Sequence, residues 1–315
     1  MNSYVRPIDR VFRFLSLLSL AFCGWACEEV IESPFELREP KLVLSSIFAP
    51  HQPVRVSVTA TQPITGEQRF TEINDAEVML FEGSELIETL AFFPGRSGKP
   101  GSYQTVDFHP VANQHYTLHA SADGFTPVSA ASKIPTRVAI SSISIGELTQ
   151  MTVLGAEVYD YQLRITFDAP PEIEHYYDLR ISQQVIPFRV SELGDTTLYE
   201  PITKNVLPPG SRAGTTLADG DQASVLFRDE SAVGNIEVHL QSVIDPSKEL
   251  LGSIVAELRT VSREYYFFQR TIQGEGTVFV GILEPRVNSF TNVTAGFGIF
   301  AGYSSYTQAY EFYNR

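Results

Sequence analysis

Few residues of this sequence have types and spacings that could do chemistry. His115 and His119 stand four positions apart, a spacing that would let a helix chelate zinc. Here Tyr116, Leu118 and Ala120 alternate with them, so the segment reads as a strand. Four strand steps separate the rings by about 13 Å, too far for one metal ion. Asp219-Gly220-Asp221 gathers carboxylates that suit a hard cation, but it lacks the further ligands and terminal Glu of a calcium loop and reads as a turn. Glu172 and Glu174 beside His175 offer an acid and a base, yet they follow Pro170-Pro171 in a solvated loop pattern. Gly95-Arg96-Ser97-Gly98-Lys99-Pro100-Gly101 lacks the glycine spacing of a phosphate loop, and Pro100 stands where a hydroxyl should meet magnesium. Neither G-x-S-x-G nor H-E-x-x-H occurs. The expectation is a protein that is not an enzyme, with no catalytic, cofactor-binding or metal-ligating residues.

The one residue expected to be chemically modified is Cys27. Both cysteines, Cys23 and Cys27, precede a cysteine-free body, which excludes thiolate zinc sites and cysteine nucleophiles there. Residues 1–13 carry Arg6, Arg10 and Arg13, and Phe14–Phe22 is a continuous apolar run too short to span a membrane. A peptidase pocket that excludes bulk accepts Gly24 and Ala26 ahead of Cys27, but not Phe22 ahead of Cys23. Residues 1–26 therefore read as a lipoprotein signal peptide, and Cys27 as a lipid anchor holding the chain to a membrane through acyl chains. Trp25 departs from the usual aliphatic position before the cut. Glu28 and Glu29 then open an acidic tether over residues 27–40. The full chain carries a net charge of −14, and losing residues 1–26, with three arginines and one aspartate, leaves −16. Such a body repels nucleic acid and does not lie flat on an anionic bilayer.

The elements that would position any site are strands. From Lys41 onward, short alternating runs are split by Gly, Pro and Asp turns every 8–14 residues, the pattern of a β-sandwich. Leu42–Phe48, Val54–Ala60, Ala76–Phe81, Leu86–Phe92, Tyr103–Val106, His115–Ala120 and Pro127–Ser132 form a first series, giving an N-terminal β-sandwich domain over 41–136. A second series gives a C-terminal β-rich domain over 137–315: Val138–Ile145, Gln162–Phe167, Tyr176–Ile181, Val185–Val190, Ala223–Phe227, Ile236–Val243 and Gly252–Leu258, then Thr277–Leu283 and Thr291–Tyr303. The fold class is all-β, two sandwich-like domains with one short helix near 262–273. Ser262 caps that helix, and Tyr265, Phe268 and Ile272 share one face by spacing. The polar excursion 191–221, with Tyr199, is the expected contact surface because long loops often carry function.

Four stretches also carry a family resemblance. They are the opening LVLSSIFAPHQPVRVSVTATQPI, the hairpin NDAEVMLFEGSELIETL, the segment GSYQTVDFHPVANQHYTLHASADGFT, and the ending EPRVNSFTNVTAGFGIFAGYSS with Asn292, Gly296, Gly298 and Phe300. In that order, over residues 27–313, they resemble the Bacteroidota lipoproteins gathered as domain-of-unknown-function family 4249. The first domain is also similar to the immunoglobulin-like or transthyretin-like sandwich of carboxypeptidase regulatory domains. The resemblance implies an outer-membrane, surface-exposed lipoprotein, often encoded beside TonB-dependent receptors, and brings no established reaction. The expected function is a binding or scaffolding accessory to a TonB-dependent receptor barrel, with an unknown ligand and no cofactor. The alternative is a structural or adhesive surface module.

Overall fold

The computed structural model describes residues 39–62, 71–96, 100–168, 175–206, 223–229, 234–272, 277–279, 285–287 and 290–312. Cys27, Glu28 and Glu29 lie outside them, as do Glu172, Glu174, Asp219, Gly220 and Asp221.

Strands dominate. In chain order they are β1 (Leu42–Phe48), β2 (Arg55–Ala60), β3 (Thr71–Glu72), β4 (Glu77–Glu82), β5 (Glu85–Thr89), β6 (Ala91–Phe93) and β7 (Ser102–Gln104). Next come β8 (His115–Ser121), β9 (Val128–Lys133), β10 (Ile140–Val153), β11 (Ala156–Phe167), β12 (His175–Val190), β13 (Thr196–Leu198) and β14 (Ile202–Asn205). β15 (Ala223–Asp229), β16 (Gly234–Ile244) and β17 (Glu249–Val261) precede the helix α1 (Arg263–Ile272). β18 (Thr277–Phe279), β19 (Pro285–Val287), β20 (Val293–Thr294) and β21 (Phe297–Tyr310) close the chain.

One sheet runs through the whole body in the order β13-β12-β17-β21-β1-β2-β7-β6, with β14 and β15 also on β12 and β3 on β2. Two smaller sheets cover it. The sheet β20-β9-β8-β4-β5 encloses a first core of Leu42, Leu44, Val56, Leu80, Leu118 and Phe300. The sheet β10-β11-β16 encloses a second core of Tyr161, Leu163, Ile165, Leu179, Ile254 and Leu258. Apolar residues at every second position put one side chain of each pair into a core, as the burial of Leu42, Leu44 and Phe48 on β1 shows. The result is the expected all-β, sandwich-like architecture with one short helix.

Several boundaries differ from the sequence reading, each for a physical reason. The run Leu86–Phe92 breaks at Leu90, because β5 pairs with β4 in one sheet and β6 with β7 in another. Leu90 turns this corner, its N–H donating to the Val78 carbonyl. The run Thr291–Tyr303 likewise divides at Ala295 and Gly296, since β20 joins β9 while β21 joins β1 and β17. In contrast, Tyr176–Ile181 and Val185–Val190 are one strand, β12, with an irregularity between Gln183 and Val185. The polar run Ser182-Gln183-Gln184 resembles a turn, but the buried Gln183 amide donates to the carbonyls of Gln184, Gly252 and Ser253. Its carbonyl accepts from the Ser242 hydroxyl, so the strand continues with its polar groups satisfied.

Candidate functional site

Helix α1 lies on the outer face of the large sheet. Ser262 caps it, the Tyr265 N–H donating to the Ser262 hydroxyl. Its buried residues are Tyr265 and Tyr266, whereas Ile272 is 64% exposed. The predicted face holds for Tyr265 and for Phe268, which packs against the same cluster, and is corrected at Ile272. The last turn passes the end of the apolar contact, and Tyr266 instead packs on Tyr176, with ring centroids 4.8 Å apart.

Beneath the helix the sheet carries four charges. Tyr177, Leu179 and Leu258 point into the second core, so Asp178 and Arg180 on β12 and Glu257 and Arg259 on β17 point outward. The register sets Asp178 opposite Arg259 and Arg180 opposite Glu257, so each charge faces an unlike one across the ladder. Asp178 is 1% exposed and fully occupied. It accepts from Arg180 Nε at 3.0 Å, from the Tyr265 hydroxyl at 2.6 Å and from the Ser224 hydroxyl at 2.5 Å. Arg259 makes a two-pronged pair with Glu257 at 2.9 and 3.0 Å and lies 4.5 Å from the Tyr303 ring centroid.

Burial pushes the Tyr265 hydroxyl up to about 12, and the Asp178 charge adds to the shift. Burial alone would lower Arg180, but Asp178 beside it more than offsets this and holds the guanidinium above its usual value. Burial acts the same way on Arg259, where the Glu257 hydrogen bonds and charge win. The charges are balanced and locked, which suits clamping α1 to the sheet. The sequence signal was present in the two triplets Asp178-Leu179-Arg180 and Glu257-Leu258-Arg259. Charges at i and i+2 of a strand share a face.

The terminal motif has a local cause. The Asn292 side chain accepts from the Phe300 N–H at 3.0 Å and donates to the Phe300 carbonyl at 2.7 Å. It also donates to the Ala131 carbonyl at 3.0 Å, so one amide ties β21 to β9. A Cβ on Gly298, where φ is +107, would lie 1.8 Å from the Leu44 carbonyl oxygen. The parallel β1–β21 contact therefore admits glycine alone there.

A cleft of about 380 Å³ opens at the end of the second sandwich. Ile244, Leu250, Leu251 and Phe312 form its apolar wall. Glu157 and Glu249 stand in it, the first accepting from the Tyr159 hydroxyl at 2.5 Å, the second from Lys204 Nζ at 2.5 Å.

The residues singled out from sequence fall into three groups. His115 and His119 are both exposed on β8, with Tyr116, Leu118 and Ala120 buried on the other face, as the alternation implies. His119 packs edge-on against Phe81. Tyr199, in the 191–221 excursion, is 52% exposed, and residues 207–221 of that excursion lie outside the described residues. Cys27, Glu172, Glu174 and the Asp219–Asp221 turn also lie outside them, as do Ser97, Gly98 and Lys99. Among the described residues, no group of three or more His, Cys, Asp or Glu is placed to hold a metal ion, and no helix is long and apolar enough to cross a membrane.

No curated protein matches the chain. A solved structure of three N-terminal domains of the bacteriophage RB49 Highly Immunogenic Outer Capsid protein (Hoc) is similar at 14% identity and a TM-score of 0.22. That likeness covers 70% of this chain and 63% of the other. The family comparison is decisive: residues 28–309 match the family described as Domain of unknown function (DUF4249), and the chain belongs to it.

Proposed function

We propose that this chain is an exported, lipid-anchored protein of the outer membrane and cell surface, and that its β body binds or scaffolds a partner. The observation that carries the reading is Cys27, preceded by an arginine-bearing segment, an apolar run and the small residues Gly24 and Ala26, and followed by a cysteine-free body. Glu28 and Glu29 favour display on the outer surface. The partner proposed is a TonB-dependent receptor barrel, which the β body would cover or assist. Palmitate labelling in the native host tests the anchor. Label should reach the wild-type chain and be lost in Cys27→Ser, and label retained in that variant would reject the anchor. Affinity purification under mild detergent tests the partner, and recovery of no barrel protein would reject the accessory role in favour of a structural or adhesive one.

A further inference from the structure

Residues 27–40, read from the sequence as a tether, do not join the body at a sheet edge. They lead into β1, which lies inside the large sheet with β21 on one side and β2 on the other. Its pairing with β21 is parallel over six residues, from Val43 opposite Phe297 to Phe48 opposite Gly302. β21 then runs on to Tyr310, well past the end of β1. The entry to β1 and the exit from β21 therefore lie at opposite ends of one ladder.

That geometry decides how a pull is carried. Tension that enters at Lys41 and leaves beyond Tyr310 has a direct path with one noncovalent junction, the β1–β21 ladder. The two strands are then drawn along their own axes in opposite directions. The ladder bonds are loaded together, and they must fail together before the strands can slide. A strand pair pulled apart from its open end yields bond by bond instead. Packing reinforces this ladder on both strands. Leu42, Leu44 and Phe48 are buried in the first core, and Phe48 stacks on Phe300. Asn292 in turn ties Phe300 to β9.

We propose that the β1–β21 ladder is a mechanical clamp, which holds the body on its N-terminal tether when a partner pulls on the second sandwich. Its use rests on the anchor and partner proposed above, because they supply the load. The resistance itself is a property of the fold.

Single-molecule force spectroscopy tests the clamp on the unacylated chain 27–315, in which Cys27 is the only thiol. Attachment at Cys27 and at Arg315→Cys loads β1 and β21 along their ladder. Attachment at Cys27 and at Gln62→Cys instead opens β1 from β2 at the end where Leu42 pairs with Ala60. Gln62 is exposed, beside the Thr61 N–H that donates to the Lys41 carbonyl. At one loading rate the first geometry should need a severalfold higher force, since forced unfolding follows the unfolding rate and not the equilibrium stability. In that geometry Phe48→Leu should lower the force, whereas Tyr161→Phe, in the second core, should leave it unchanged. Equal forces in the two geometries overturn the clamp. So does a loss of force in Tyr161→Phe as large as in Phe48→Leu, which would mean that the second sandwich yields first. Failure of palmitate labelling would remove the load but not the force difference, and equal forces would remove the clamp but not the anchor.

Discussion

At the scale of single residues, Asn292 and Gly298 do the most for their size. The Asn292 amide substitutes for a missing strand neighbour by matching the Phe300 N–H and carbonyl at once. Asn292→Ala should cost about 2–3 kcal/mol, because it leaves partly buried backbone groups unsatisfied. Gly298→Ala should cost more, about 4 kcal/mol or beyond, since its Cβ would collide with backbone rather than with a yielding side chain. Urea midpoints of the two variants check the order. A Gly298→Ala variant as stable as wild type would show that β1 and β21 do not approach so closely.

At the scale of elements, α1 is held as much by polar bonds as by apolar contact. Asp178 is buried while Arg180 is 27% exposed, so removing Arg180 leaves a buried carboxylate without its cation, at a cost of about 3 kcal/mol. Tyr265 ties the helix to this pair, and its raised pKa gives a pH signature. The folded state keeps its proton to about 12, whereas the unfolded chain releases it near 10. The contribution is therefore fully present below pH 10 and lost as pH rises through 10 to 12. Tyr161, buried in the second core with its hydroxyl on Ser242, is also raised to about 12 and acts in the same window and direction. Alkaline unfolding should be less steep in Tyr265→Phe than in wild type, as followed by circular dichroism between pH 9 and 12. An unchanged slope would mean that the hydroxyl is not shielded.

At the scale of the whole molecule, β21 serves both cores. Its first half runs parallel to β1, where Phe300 stacks on Phe48 at 4.4 Å, and its second half pairs with β17. A ladder shared in this way couples the two sandwiches, so calorimetry of the full chain should give one transition with equal calorimetric and van't Hoff enthalpies. Ending the chain after Tyr303 should unfold the second core, because β17 would lose its partner over Ile254–Thr260. Two separated transitions in the intact protein would contradict the coupling.

Much of this organisation was legible in the sequence, because it depends on neighbours along the chain. Period-two alternation located β1, β8 and the exposed faces of His115 and His119, and Ser262 marked where α1 begins. The order of four weak motifs identified the family. What tertiary structure decided depends on residues far apart in sequence. Strand ends moved wherever a strand changed sheets, as at Leu90 and Ala295, since only the partner ladder shows where pairing stops. The Ser182–Gln184 stretch continued as strand because Gly252, Ser253 and Ser242, some 60 to 70 positions away, satisfy Gln183. The charges of Asp178, Arg180, Glu257 and Arg259 became a cluster only when β12 and β17 came into register. Alternation fixes which face a side chain takes, but only pairing fixes what stands opposite it.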